Sequence, residues 1–353
     1  MGCEVSVICV KINQTTKHFK DGLINVFPMM ESQPTQFLYY LNKTPIIKIV
    51  SGLLFYLYNG YKIHIILRRI DRTKKINFVE YSEGGDFWNS IMKTFKYSSH
   101  LHGSSYTFKN QSKFKPNIID KIRRQMEHVF IKRAYIVVSP CNAMVKLVEK
   151  EMRFKIKNSH IIPYPISLSH IPVIQFCQSS KKVTLLFASR NDPIKGGELF
   201  IRALNKLPKS IQSIIEVKFY GYVSCRNLSN LPFIEINEFV PRDVLEKAYE
   251  NADICVIPSL FDNSPNTVYE AMAHGKILIA SAVGGIPEIL GGNENGYLFN
   301  PNDINDFTEK IISAINAIIN GQGYKMMANA QQRIMSISDV SVNAIKRLEL
   351  FNS

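Results

Sequence analysis

The sequence predicts an α/β protein made of two Rossmann-like domains, and three observations carry that prediction. Within residues 253–289 an apolar run, 254–257 (ICVI), meets a small polar loop containing Pro265, and a helix-forming run, 267–274, stops at Gly275. A second apolar run, 277–280 (ILIA), passes through Gly284-Gly285 into another helix start at Pro287-Glu288. Strand, loop, helix and glycine cap thus repeat at once, the pattern of parallel strands joined by crossover helices. Length is the second observation: 353 residues, 46% of them hydrophobic and 20% charged, describe an ordinary globular chain with room for two cores. The third is a patternless polar stretch, 167–182, with strand and helix runs on both sides of it.

In chain order, residues 4–10 (EVSVICV) alternate and are rich in β-branched residues, which predicts a strand. Residues 36–60 form a long apolar and aromatic run, expected to be a helix packed on a sheet. Lys48 and Lys62 interrupt the most membrane-like part, 46–67, and its uncharged middle, 49–61, is too short to span a bilayer. A buried helix is the prediction. A helix lying on a membrane surface is the alternative, because Arg68, Arg69, Arg72, Lys74 and Lys75 follow at once.

Residues 76–80 (INFVE) read as a short strand leading into 81–88 (YSEGGDFW), where Gly84-Gly85 marks a loop at the carboxyl edge of the sheet. Glu83 and Asp86 stand in that loop as candidates for touching an acceptor, although acids in such loops are more often simply solvated. Residues 99–105 (SHLHGSS) close another strand, 117–132 an amphipathic helix with Arg123, Arg124, Lys132 and Arg133 on or near its polar face. A strand over 134–139, a helix over 142–152 and a short strand from 159 into a proline turn at 165 complete a first domain, 1–166, followed by a hinge, 167–182. The second domain, 183–330, opens with the unbroken apolar strand 183–188 (VTLLFA). Helices over 198–207, 243–251 and 305–319 and strands over 217–220 and 234–240 surround the repeated unit, and 325–350 supplies one or two more helices. Residues 331–353 are set apart as a terminal helix.

Charge divides the chain. Lys and Arg outnumber Asp and Glu by 43 to 29, a net +14. Residues 1–180 carry 26 basic and 11 acidic residues, the remainder 17 and 18, so the whole excess lies in the first half. That favours an anionic partner such as lipid, lipid-linked phosphate or nucleic acid, unless the charges are spread over the surface as a solubilising coat. A nucleic-acid role lacks any recognition motif or stacking platform, so no specific nucleic acid is expected. The six cysteines are scattered without a C-x-x-C pair, no D-x-D ion site is present and no metal or other cofactor is expected. Without a secretory signal pattern at the N-terminus, the sequence places the protein in the cytoplasm, with the inner membrane surface as a peripheral site.

Ligands of parallel α/β sheets sit at the carboxyl ends of the strands, which directs attention to the loops. Arg190 and Lys195-Gly196-Gly197 follow the strand 183–188: a guanidinium and an ammonium, with glycine permitting close backbone approach, suit a diphosphate. Asp262 lies in the loop after 254–257. Glu270 lies about a turn into the helix behind it, and the N–H groups at the helix start suit an anion.

Together, Asp262 and Glu270 separated by seven residues, then Ala271-Met272-Ala273-His274-Gly275, then Gly284-Gly285-Ile286-Pro287-Glu288, resemble the donor-site signature of retaining GT-B glycosyltransferases of family 4. The first acid is usually Glu in that family; Asp262 pulls the carboxylate back by about one bond length, which bears on sugar choice and activity. The resemblance implies two Rossmann-like domains facing across a cleft, acceptor on the first and nucleotide sugar on the second. It also implies a first strand and Gly-rich loop ahead of 4–10, which this sequence does not display.

As the family's pattern implies them, the roles are these. Arg190 and Lys195 stabilise the departing nucleoside diphosphate, Asp262 orients sugar hydroxyls, and His102, with His100 as the alternative, reaches the donor sugar. Glu270 holds the ribose, and Gly196, Ser264, Pro265, Asn266, Thr267 and Val268 line the donor. Gly84, Gly85 and Gly103 belong to the acceptor side. The implied activity is hexosyl transfer from a nucleoside-diphosphate sugar to a hydroxyl of a glycan or lipid-linked acceptor, with retention, in cell-surface polysaccharide or glycolipid synthesis. A non-catalytic nucleotide-sugar-binding partner and a GT-B-fold nucleotide-sugar epimerase are the alternatives.

Overall fold

The structure is a computed structural model, and it describes residues 4–10, 18–29, 45–111, 115–166, 174, 182–190, 192–221 and 231–352. The chain forms two compact units, Met1–Val138 with Lys155–His160, and Ser139–Phe154 with Ile161–Ser353. Of the predicted hinge, only Ile174 and Lys182 belong to the described residues.

The first unit contains two sheets. Strands β1 (Val5–Val10), β2 (Phe19–Asp21) and β3 (Ile24–Met29) pair in the order β1-β3-β2. The pair β1/β3 is parallel and β2/β3 antiparallel, with Gly22 at a φ of 57° in the tight turn between them. The sequence reading found β1 and missed its partners, because Asn25 and Pro28 break the alternation that marks a strand.

A second sheet runs β4 (Val79–Ser82), β5 (Tyr97–His100), β6 (Ile136–Ser139) and β7 (Ser159–Ile161) in that order. Its core gathers Tyr81, Tyr97, Phe95 and Phe130 around Leu67 of the Pro45–Thr73 helix. That helix is displaced from the expected 36–60. It runs through Arg68, Arg69 and Arg72, since arginine is a good helix former; residues 36–44 lie outside the described residues. The helix is buried on one face only: Leu67 and His64 are buried, whereas Leu54, Tyr58, Tyr61 and Ile65 are exposed. Among the described residues no helix is long and apolar enough to cross a membrane.

The second unit is built on one parallel sheet: β8 (Val183–Ala188), β9 (Ile215–Tyr220), β10 (Ile234–Asn237), β11 (Ile254–Ile257), β12 (Ile277–Ser281) and β13 (Tyr297–Phe299), ordered β10-β9-β8-β11-β12-β13. Successive side chains enter opposite cores. Leu185, Phe187, Ile254 and Val256 pack with Phe200 and Phe307, while Leu186, Cys255 and Ile257 pack with Val268 and Met272. Burial on both faces is why these strands read as unbroken apolar runs.

Strand order reverses between β8 and β11, which pair through Ile254 and Leu185. The loops after these two strands meet at the carboxyl edge of the sheet, where parallel α/β sheets take their ligands. The last two helices, Gly323–Ser338 and Val340–Asn352, are held to the segment after β7: Ile166 N donates to Ser338 O, and Asn343 Nδ2 to Pro163 O.

Candidate active site

Packing of backbone on glycine stacks the loops at the β8/β11 switch. After β8, Asp192 caps the short 3-10 turn Pro193–Lys195, and Gly196 closes it at a φ of 74°. A Cβ on Gly196 would lie 1.8 Å from Pro258 O, so only glycine lets this loop rest on the loop after β11. Leu260 N donates to Ile194 O at 2.7 Å and locks the two loops together. On the other side, a Cβ on Gly284, at a φ of 52°, would meet Asp262 O at 1.7 Å, and Gly285 N donates to Asn263 O. Three strand-end loops are thus stacked with Asp262 in the middle.

The consequence is an ion pair that sequence separation conceals. Lys195 Nζ donates to Asp262 Oδ2 at 2.6 Å, and Ser259 Oγ reaches the same oxygen at 3.3 Å. Ser281 Oγ in turn holds Ser259 O, tying β12 to the arrangement. Asp262, Asn263 and Ser264 are buried and Pro265 with them; Arg190, after β8, is exposed.

The Asn266–Ala273 helix starts directly behind this loop, and no side chain caps it. Its first N–H groups, at Asn266 and Thr267, precede the helical hydrogen-bond ladder and are open to an anion. Val268 is different from the rest of the expected donor-lining set: its side chain is core and its N–H donates to Pro265 O. Ser264 Oγ bonds the Tyr269 hydroxyl at 2.8 Å, which fixes the loop to the helix.

Both oxygens of Glu270 are engaged. Arg242 Nη1 donates to one and the Tyr249 hydroxyl to the other, at 2.9 Å. The carboxylate raises the Arg242 pKa through this bond; burial, with the same carboxylate adding to it, pushes the Tyr249 hydroxyl well up. Sequence reasoning missed both partners. Arg242 lies 28 residues from Glu270, and nothing in its own helix advertises the contact.

Glu288, in the expected Gly-Gly-Ile-Pro-Glu loop, caps a helix begun far upstream. Its two oxygens accept the N–H groups of Asn142 and Ala143 at 2.7 and 2.6 Å, at the start of the Asn142–Met152 helix. Beside it, Cys141 Sγ lies 3.0 Å from Asn263 Oδ1.

The loops of the first unit form their own cluster. Gly84 O accepts the Tyr56 hydroxyl, a Cβ on Gly85 would meet Phe130 at 2.3 Å, and Gly103 has a φ of 96°. His102 is exposed, whereas His100 is buried with Nδ1 3.3 Å from Glu80; the two rings lie 4.1 Å apart. His102 is therefore the one of the pair that faces solvent. Glu83 and Asp86 are neither solvated nor acceptor-touching loop acids, because both are buried. Glu83 is buried, accepts the Gly103 N–H at 2.9 Å and lies beside Arg124, which also binds Glu127. Burial pushes its pKa up to about 7. Asp86 is fully buried, caps the Phe87–Met92 helix and pairs with His64.

Comparison with known proteins addresses the second unit directly. Residues 182–317 match the family described as Glycosyl transferases group 1. The match covers only part of the chain, and all of it lies in the second unit. An uncharacterized glycosyltransferase of Methanocaldococcus jannaschii is 31% identical over 163 residues, 42% of this chain and 42% of that protein. A sulfoquinovosyl transferase of Arabidopsis thaliana is 28% identical over 134 residues, 37% of this chain and 26% of that one. The match thus spans less than half the length of these relatives. In fold, the sucrose-phosphate synthase of Thermosynechococcus elongatus superposes with a TM-score of 0.76 at 17% identity, covering 99% of this chain and 89% of that one. The fold is that of GT-B glycosyltransferases. The matched stretch contains β8 to β13 and every second-unit residue of the predicted site, from Arg190 to Glu270.

Proposed function

We propose that the protein transfers a hexosyl group from a nucleoside-diphosphate sugar to a hydroxyl of a glycan or lipid-linked acceptor, with retention, in the synthesis of a surface polysaccharide or glycolipid. One observation carries the reading: Lys195 bonds Asp262 at the β8/β11 switch, directly ahead of an uncapped helix that carries Glu270, within the stretch that matches group 1 glycosyl transferases. Such an edge suits a diphosphate flanked by a sugar and a ribose.

In this reading catalysis is positional and electrostatic. The diphosphate draws Lys195 and the open Asn266 and Thr267 N–H groups, with Arg190 joining them. As the sugar–phosphate bond breaks, these donors take up the charge developing on the leaving oxygen. Asp262 orients the sugar hydroxyls, Glu270 accepts from the ribose diol, and His102 approaches the sugar. The leaving phosphate accepts the acceptor hydroxyl's proton, and no metal or other cofactor enters.

A thermal-shift screen with nucleoside diphosphates and their sugars tests the assignment, since a ligand of the folded state raises the melting temperature. With the best ligand in hand, Glu270→Ala is expected to raise its Kd about tenfold or more, and Arg190→Ala to lower turnover with binding nearly kept. Unchanged binding by Glu270→Ala sinks the ribose assignment.

The Lys195–Asp262 ion pair favours one second reading, a nucleotide-sugar binder that does not transfer. Ligand binding without transfer to any of a panel of glycan and lipid-linked acceptors would select it.

A further inference from the structure

The Pro45–Thr73 helix carries a face that the fold leaves outward. Leu54, Tyr58, Tyr61 and Ile65 are 59%, 53%, 43% and 41% exposed. Arg68 and Arg72 continue the same line and are exposed too, as is Arg69 beside it. At 100° per residue, positions 54, 58, 61, 65, 68 and 72 fall within an arc of about 80°. The ridge is therefore continuous: four large apolar or aromatic side chains, then arginines.

The inward face explains why this ridge is not needed for folding. Leu67 is in the aromatic core, His64 bonds Asp86, and Gly60 lies under Trp88. Arg123 Nη2 from the Ile118–Arg133 helix donates to Gly52 O. Four exposed hydrophobes in register on one helix are unusual, whereas a single exposed leucine is not.

The charge around the ridge selects the partner. Lys62 lies over the Tyr58 ring at 5.5 Å, and Lys74 and Lys75 follow the helix with their side chains 63% and 82% exposed. The nearby acids Asp71 and Glu4 are paired with Lys75 and Lys74. An apolar stripe with tyrosines and a basic end matches the boundary between acyl chains and headgroups: hydrophobes enter the hydrocarbon edge, tyrosines lie at headgroup level, and arginines meet anionic phosphates. The helix is not apolar enough to cross.

We propose that the outward face of the Pro45–Thr73 helix docks on the surface of an anionic lipid bilayer through Leu54, Tyr58, Tyr61 and Ile65, with Arg68, Arg69 and Arg72 on the headgroups. The inference stands apart from the donor site. It brings a lipid-linked acceptor and the protein to the same two-dimensional surface.

Flotation of the full chain with vesicles tests it, using phosphatidylcholine alone and phosphatidylcholine with a third of the lipid replaced by phosphatidylglycerol. The protein is expected to float with the anionic vesicles at least tenfold better than with the neutral ones, and less well as salt rises. Arg68→Gln, Arg69→Gln and Arg72→Gln together are expected to weaken partitioning by about 100-fold. Leu54→Ser with Ile65→Ser is expected to abolish flotation at every salt concentration. Both variants change exposed positions and are expected to keep the wild-type melting temperature and its shift by the nucleoside diphosphate. Wild-type protein that stays in the dense fraction overturns the proposal, as do folded variants that float like wild type. Loss of a dimer in the serine variant with flotation unchanged assigns the face to a second copy and overturns it too; so does loss of polynucleotide binding in the glutamine variant with flotation unchanged. Failure of every nucleoside diphosphate to shift the melt would remove the proposed activity and leave the flotation result standing.

Discussion

Asp262 holds Lys195 at 2.6 Å in a buried loop, so the ammonium offered to a diphosphate is already balanced by a carboxylate. A ligand phosphate must share that ammonium with Asp262. Removing the charge without the shape, by Asp262→Asn, frees Lys195 for the phosphate. We expect nucleoside-diphosphate affinity to rise about three- to tenfold, the scale of one charge-assisted bond, while turnover falls about 100-fold as a sugar-orienting group is lost. Calorimetric titration and initial rates measure both, and weaker diphosphate binding by the variant would contradict the competition. Glu83 makes a different case, because burial raises its pKa from 4.5 to about 7. A carboxyl whose folded pKa lies above its unfolded one binds more protons when folded. Its destabilising effect is absent below about pH 4.5, grows as pH rises and is complete above about pH 7. A difference of that size corresponds to roughly 3 kcal/mol. Glu83→Gln keeps an acceptor for the Gly103 N–H and removes the titration, so denaturant melts should show it stabilising at pH 8 and nearly neutral at pH 4. Equal effects at both pH values would mean that Arg124 already compensates the ionised form.

At the scale of elements, glycine decides whether the three site loops can stack. Gly284 is at a φ of 52°, and a Cβ there would lie 1.7 Å from Asp262 O. Gly284→Ala must push the Asp262 loop away from Lys195 as well as strain its own backbone. The expected cost is about 1–3 kcal/mol, with the melting shift by a nucleoside diphosphate largely lost; a stable variant that keeps the full shift would show that the stacking is dispensable. The same elements mark what the sequence made legible. Strands β8 and β11 and the Asn142–Met152 helix fall on the residues expected of them, since burial on two faces writes an unbroken apolar run and amphipathic spacing writes a helix. The Gly-Gly loop and the helix after Pro265 were readable for the same local reason. What was not readable is pairing at a distance: Arg242 with Glu270 over 28 residues, and Glu288 with Asn142 over 146. Glu83 and Asp86 were placed in the right loop with the wrong orientation, because polarity alone does not tell a solvated acid from one buried against Arg124 or His64.

Across the whole molecule, charge, core and chemistry are unequally divided. The basic excess lies in residues 1–180, and the first unit's core is an aromatic cluster around Phe130. The second unit holds hydrophobic cores on both faces of a six-stranded sheet, and it also holds Lys195, Asp262 and Glu270. Each unit has its own core, so a single unfolding free energy does not describe the chain. A nucleoside diphosphate bound at the β8/β11 switch stabilises only the unit that forms it. At a hundred times its Kd that amounts to about 2.7 kcal/mol. For a unit of roughly 200 residues this moves the midpoint by about 5–10 °C. Scanning calorimetry is expected to resolve two transitions and to show the ligand displacing one of them, the one that Glu270→Ala makes insensitive. If the ligand moved both transitions together, the first unit would be contributing to binding of the diphosphate itself, and the division of labour proposed for the two units would have to be abandoned.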